Sequence, residues 1–230
     1  AKMEQLADKG NGNYAYIDNV REARKVLVNE MGGTLHTIAK DVKIQIEFNP
    51  GQVQAYRLIG YENRILAKED FNDDRKDAGE LGAGHTVTAL YEVVPHGGEG
   101  PSTSVDSLKY QTTEIRSGAY TSAEMMTVKM RFKRPGVERS EAIELLVSDI
   151  QLDLKSTTEN FRFASAVAEF GLLLRKSDYL ANATYGQVID LARGALGKDE
   201  FGYRAEFVRM VETAELLRPG FTSSNDFRSP

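Results

Sequence analysis

Between Val42 and Phe48 the chain alternates strictly: Val42, Ile44, Ile46 and Phe48 share one parity, and Lys43, Gln45 and Glu47 the other. Successive strand side chains point to opposite faces, so the pattern predicts a strand with one dry face and one wet face. Asn49-Pro50-Gly51 follows, with φ fixed at Pro50 and free at Gly51, as a tight turn requires. Val53 to Tyr61 then places Tyr56 and Leu58 on one side and Ala55 and Ile59 on the other. That distribution predicts a second strand covered on both faces. Thr34 to Leu66 is therefore expected to form a hairpin that seeds a sheet.

Period-two patterning returns twice. Val87, Ala89, Tyr91 and Val93 alternate within Thr86 to Val94, and Pro95 closes that strand. Met126, Val128, Met130 and Phe132 alternate with Thr127, Lys129, Arg131 and Lys133; Pro135-Gly136 supplies a turn, and Ala142 to Val147 returns. The basic row is expected to be a solvated outer face that protects a sheet edge. Met126 to Phe132 is also the expected partner, across a sandwich, of the first hairpin's buried face. Ser107 to Gln111 reads as a short strand, whereas Thr112 to Ala123 has no clear period.

Beyond Lys155 the period becomes 3.6. Thr157 or Thr158 can cap a helix carrying Phe163, Ala164, Val167, Phe170, Gly171 and Leu174, with Arg175 and Lys176 in its last turn. Thr184 can cap a second, with Val188, Ile189, Ala192 and Leu196 on one face and a stop at Gly197. A third runs from about Phe201 to Leu217 and ends at Pro219-Gly220. Their aromatic stripe is expected to be the core of a small bundle. At the other end, Lys2 to Lys9 predicts a helix stopped at Gly10, Tyr14 to Ile17 a short strand, and Asn19 to Met31 a helix capped by Asp18 and followed by Gly32-Gly33.

That N-terminal stretch carries a resemblance. Leu6-Ala7-Asp8-Lys9-Gly10-Asn11-Gly12-Asn13-Tyr14-Ala15-Tyr16-Ile17-Asp18, with Glu22-Ala23-Arg24-Lys25-Val26-Leu27, resembles the closing helix, strand and helix of a von Willebrand factor type A domain. Glu47-Phe48-Asn49-Pro50, Tyr56 to Arg64, Asp70-Phe71-Asn72-Asp73-Asp74 and Ala83 to Glu92 are similar to the region that follows it in bacterial proteins of the YfbK type. The fold expected from pattern and resemblance together is α+β. Its parts are the terminal α/β unit of a type A domain over 1–33, an antiparallel β-sandwich over 34–155, a small helical bundle over 156–218 and a loose tail over 219–230.

Composition narrows the chemistry. The 230 residues hold 29 Lys plus Arg against 34 Asp plus Glu, and no window joins basic residues with aromatics, which argues against nucleic-acid binding. The absence of cysteine excludes disulfides, thiolate metal sites and thiol catalysis. No apolar run is long enough to span a bilayer and no signal peptide opens the chain; since it starts at Ala1, a piece of a longer protein is expected. His36, His85 and His96 fit no helix-borne metal pair, no Gly-x-Ser-x-Gly turn occurs, and Gly97-Gly98-Glu99-Gly100 lacks the ending of a phosphate loop. Asn182-Ala183-Thr184 matches a glycosylation pattern of low specificity. Asp70, Asn72 and Asp74 match the opening of a calcium loop, but Arg75 replaces its glycine and Leu81 its bidentate glutamate. The polar stretch Ala67 to Gly84 is expected to be a solvated connection.

No catalytic, cofactor or metal residue is therefore assigned. The resemblance implies magnesium elsewhere, bound by an Asp-x-Ser-x-Ser run that this sequence does not contain. It also implies a non-catalytic protein-binding or adhesion module of the bacterial cell envelope, periplasmic or on a surface lipoprotein, with a protein partner. The alternatives are a structural or regulatory subunit docking on an enzyme or ATPase, an enzyme using acidic residues of Glu69 to Glu80, or a sugar-binding sandwich.

Overall fold

The strand begun at Val42 extends back to Thr37, giving β1 (Thr37–Phe48). The computed structural model describes residues 2–10, 12, 14–60, 66–98 and 115–218. The expected strand at Ser107 to Gln111 and the tail beyond Arg218 lie outside them. β1 is interrupted at Asp41, which takes the left-handed region at φ 52°; there the register with its neighbour skips from Lys40↔Lys133 to Lys43↔Arg131. Such a bulge re-aims a side chain. Here it turns the Asp41 carboxylate onto the Lys133 ammonium at 2.8 Å and the Ala78 N–H at 3.2 Å.

The architecture is α+β. A four-stranded antiparallel sheet runs in the order β3 (Gly79–Gly82), β1, β5 (Glu124–Lys133), β6 (Glu141–Ser148). A two-stranded sheet joins β2 (Val53–Ile59) to β4 (Leu90–Pro95), which is shorter than the alternation from Thr86 suggested. The expected hairpin is therefore corrected: β1 and β2 are joined by the predicted turn but enter different sheets. Asn49 shows why. Its side-chain N–H groups donate to the carbonyls of Ala119 and Glu124 at 2.9 and 2.8 Å, and its Oδ1 accepts from Gly51 N–H at 2.9 Å. The turn is thereby fixed to the segment leading into β5, and β5 takes the place beside β1. Met126 to Phe132 is the lateral neighbour of β1, not a partner across a layer. β2 is not covered on both faces either, since Tyr56 is exposed, stacked at 4.1 Å on the ring of Phe48.

The N-terminal elements depart further from expectation. α1 (Lys2–Lys9) forms, but Tyr14 to Ile17 has no strand partner among the described residues, and without a ladder it cannot be a strand. The next helix is capped by Asn19, whose Oδ1 accepts from Arg21 and Glu22 N–H; Asp18 instead accepts from the Asn19 side chain. α2 (Val20–Arg24) widens into a π-turn over Lys25–Asn29, and Gly32 and Gly33 lie inside α3 (Met31–Leu35) rather than beyond a helix end. Gly33 packs against β3 so closely that a Cβ on Gly82 would sit 1.7 Å from its carbonyl oxygen. A short helix, α4 (Ser117–Thr121), occupies part of the segment in which no period was visible.

The chain divides into two compact units. One comprises Ala1–Tyr56, Tyr61–Val87 and Val93–Asp149, the other Arg57–Gly60, Thr88–Glu92 and Ile150–Pro230. The second holds α5 (Glu159–Leu174), α6 (Tyr185–Arg193) and α7 (Tyr203–Leu216). Thr158 caps α5, and Thr184 with Gln187 forms a reciprocal capping box on α6. Gly202, in the left-handed region, turns the chain into α7, whose Arg204 and Ala205 N–H groups are taken by the Asp199 carboxylate at 3.0 and 2.8 Å. Ala166, Phe170, Val188, Ile189, Ala192, Val208 and Val211 form one buried cluster; Phe170, Val188, Ile189 and Ala192 fall where the 3.6 period places them, whereas Val167 and Leu174 of the expected stripe are exposed and Ala166 is buried in their stead. Phe207 joins it with its ring edge-on to Phe163 and Phe170 at 5.3 and 5.6 Å.

Two stability predictions result. Phe170→Ala, truncating a ring that is 5 % exposed, lowers the unfolding free energy of the helical unit by about 3–5 kcal/mol; denaturant titration followed by helix signal measures it, and a loss no larger than that of exposed Phe201→Ala contradicts the core assignment. Gly82→Ala forces α3 away from β3 and costs about 1–3 kcal/mol or more, read from the first unit's melting transition.

Candidate functional site

Directly opposed residues of antiparallel strands share a face. Across β1, β5 and β6 the rows Lys43–Arg131–Ala142, Gln45–Lys129–Glu144 and Glu47–Thr127–Leu146 therefore lie on one side. Ile44–Met130–Ile143, Ile46–Val128–Leu145 and Phe48–Met126–Val147 lie on the other. The two faces divide as the alternation predicted, and at the Phe48 end the apolar side is the covered one, but at the Lys43 end the cover lies on the charged side. Lys43 is 4 % exposed, while Ile44, adjacent to it, is 54 % exposed.

The segment between β2 and β3 explains the inversion. It was expected to be a solvated connection; instead it forms a 3-10 turn over Lys68–Asn72 with Phe71 buried, and its acceptors meet the charged face. Lys43 donates its ammonium hydrogen to the Asp73 carbonyl, Lys133 to the Asp74 carbonyl at 2.7 Å, and Arg131 to Asn72 Oδ1 at 3.2 Å and Asp74 Oδ1 at 3.0 Å. Ser140, just before β6, donates its hydroxyl to Asp74 Oδ1 at 2.6 Å. Lys129 pairs with Glu47 at 3.1 Å. The basic row is thus neither solvated nor at an edge. It runs along a central strand, and each of its three residues engages an acceptor of the same unit.

Electrostatics follow from this geometry. Hydrogen bonds from Ser140, then from Arg131, hold the Asp74 carboxyl down at about 2. Arg75 does the same for Asp73, also at about 2. Burial pushes the Asp41 carboxyl up, but the Lys133 ammonium and the Ala78 N–H outweigh it and leave it below the ordinary aspartate value; the Lys133 ammonium is correspondingly raised, first by its hydrogen bond to Asp41. Arg131 Nε is buried and finds no acceptor.

Of the candidate calcium residues, Asp70 pairs with Lys76 at 3.1 Å, and Asn72 and Asp74 accept from Arg131. Cations already occupy the side that a metal ion would need. No group of three His, Cys, Asp or Glu side chains suited to a metal ion occurs among the described residues. The three histidines are exposed; His96 Nε2–H donates to the Pro50 carbonyl at 2.9 Å. Gly97 and Gly98 lie in a turn after β4, and Glu99-Gly100 lies outside the described residues. A shallow depression of about 380 Å³ opens between Thr37, Ile38, Phe132, Arg134 and Pro135. No helix among the described residues is long and apolar enough to cross a membrane.

Antiparallel sheets and a helical unit define an α+β chain. The chain belongs to the family described as "Uncharacterized protein YfbK, C-terminal", which matches residues 33–217. It is 43% identical over 215 residues to the "Uncharacterized protein YfbK" of Escherichia coli (strain K12). That alignment covers 94% of this chain and 36% of the relative, so the chain spans little more than a third of the curated protein it matches. No solved structure gives a significant match.

The acid side of the pH range tests the network. A carboxyl held at about 2 when folded, against about 3.9 unfolded, contributes stability that is complete above the unfolded value and lost as the pH falls toward the folded one. Acid titration is therefore expected to erode stability progressively below the ordinary aspartate range, and Asp74→Asn to flatten that dependence. Carboxyl NMR titration checks it: an Asp74 signal titrating at the ordinary aspartate value contradicts the network. Glu169 on α5 behaves oppositely, since burial pushes its carboxyl up. Glu169→Gln is expected to raise the melting temperature at neutral pH, with the gain vanishing as the pH falls below the native group's raised value; a lowered neutral-pH melting temperature contradicts this.

Proposed function

We propose that the chain is a non-catalytic module of a bacterial cell-envelope protein, serving to position an adjoining von Willebrand type A domain for a protein partner. The observation that carries this reading is the state of the N-terminal elements. None of the described residues before Gly33 is buried, and Leu6, Tyr16, Val20, Leu27 and Val28 stand exposed on elements patterned for a core. That is how the closing helix, strand and helix of an α/β domain behave apart from its sheet. Four of the six acidic residues of the 68–80 segment support the non-catalytic reading, because Asp70, Asp73, Asp74 and Glu80 are each engaged with a cation. In this reading magnesium belongs to the adjoining domain and no residue of this chain ligates it.

Affinity capture with the complete parent protein and with this chain, each with magnesium and after chelation, tests the proposal. Capture by the complete protein that chelation abolishes, with none by this chain, is expected. Equal capture of the same partners by this chain after chelation overturns it.

A further inference from the structure

The charged face of the four-stranded sheet is roofed at its Lys43–Arg131–Lys133 end by the 68–78 segment, which supplies the acceptors there, and the opposite face carries an exposed apolar patch. The opposite face is a continuous apolar grid, Ile44–Met130–Ile143 and Ile46–Val128–Leu145, extended along β5 to Phe132 at the rim of the depression. Ile143 is 52 % and Leu145 61 % exposed, and with Ile44 they leave on the order of 300 Å² of bare side chain, the size at which a patch on a monomer commonly marks an interaction site. Only the row Phe48–Met126–Val147 is better covered, where Tyr56 stacks on Phe48. β6, moreover, is an edge strand that pairs on the β5 side alone among the described residues. Its sequence Glu141-Ala142-Ile143-Glu144-Leu145-Leu146-Val147-Ser148 contains none of the Lys or Pro that usually protects such an edge.

We infer that this face is an intramolecular docking surface, covered by an apolar segment of the same polypeptide lying outside these 230 residues. The relative from Escherichia coli sets the scale: the matched region is 36% of its length, so almost two thirds of such a protein remains to supply the segment. Tethering favours it over a second copy, because a linked segment acts at an effective concentration on the order of millimolar. Charge sets the chemistry at the β6 edge. Lys129 lies between Glu144, directly opposite on β6, and Glu47, its ion-pair partner diagonally across on β1, so a strand added beside β6 continues the change of sign with Lys or Arg opposite Glu144 and apolar residues opposite Ile143 and Leu145.

The absence of cysteine from the chain makes a direct test available. Leu145→Cys and, separately, Ile143→Cys are placed in this 230-residue chain and in the complete parent protein, with exposed Glu138→Cys as control. N-ethylmaleimide labelling under native conditions is read by peptide mass spectrometry. Labelling at 145 and 143 at least about tenfold slower in the complete protein, with position 138 equal in both, is expected of a covered face. Equal rates at 145 and 143 in the two proteins overturn the inference. So does slow labelling in the 230-residue chain itself, which rising with concentration identifies a second copy and otherwise another part of the same 230 residues. Partner capture enters none of these readouts, so the inference can fail while the proposed function stands, and the reverse.

Discussion

Cationic side chains on a central strand can be buried only if acceptors are held over them, and that constraint organises the first unit. An ammonium removed from water without a partner is prohibitively unfavourable. Lys43, Arg131 and Lys133 sit on one sheet face, and the 68–78 segment brings the carbonyls of Asp73 and Asp74, the Asp74 carboxylate and Asn72 to meet them. The bulge at Asp41 belongs to the same solution. Lys40 and Lys133 fall opposite one another in the register, a repulsive pairing for two like charges, and the left-handed residue inserted beside them turns a carboxylate onto Lys133. The backbone irregularity and the ion pair are therefore one feature.

Much of this was legible in the sequence, and the boundary between legible and not is physical. The helices of the second unit depend on local periodicity and caps, so Thr158, Thr184 and the Phe163–Phe170 stripe could be read directly. The β5–β6 turn was equally local. Strand pairing is not: the Asn49-Pro50-Gly51 turn was recognised, yet the Asn49 hydrogen bonds to Ala119 and Glu124 cross about seventy positions of sequence, and they decide that β5 rather than β2 lies beside β1. The parity of Val42 to Phe48 separates two faces without saying which one something else will cover. Hydrophobicity alone places Lys43 in water, and a segment with the composition of a solvated loop roofs it instead.

The roof over the charged face does leave a signal in the sequence. Within Asp73-Asp74-Arg75, the candidate metal ligand Asp74 and the cation that breaks the metal pattern are adjacent, and three basic residues alternate along Lys129 to Lys133. Acids clustered in a polar segment and bases spaced by two on a strand are what a salt-bridged roof over a sheet requires. A metal loop with Arg at its glycine position is a poorer account of the same residues, because it leaves the strand cations unexplained.

The two faces of the sheet then carry different commitments. The charged face is closed by groups of its own unit, and the depressed carboxyls of Asp73 and Asp74 show that these contacts favour the ionised state. The apolar face has no comparable closure, and neither do the exposed apolar side chains of α1 and α2. Hydrophobic contact is non-directional and roughly proportional to the area covered, so these surfaces fix that something must dock without fixing its pose. Ionic and hydrogen-bonding groups supply the orientation, and along β6 those still facing outward are the ladder N–H and C=O groups beside Glu144. Specificity for whatever covers the sheet is therefore concentrated at that edge, while the Ile44–Met130–Ile143 grid supplies most of the area.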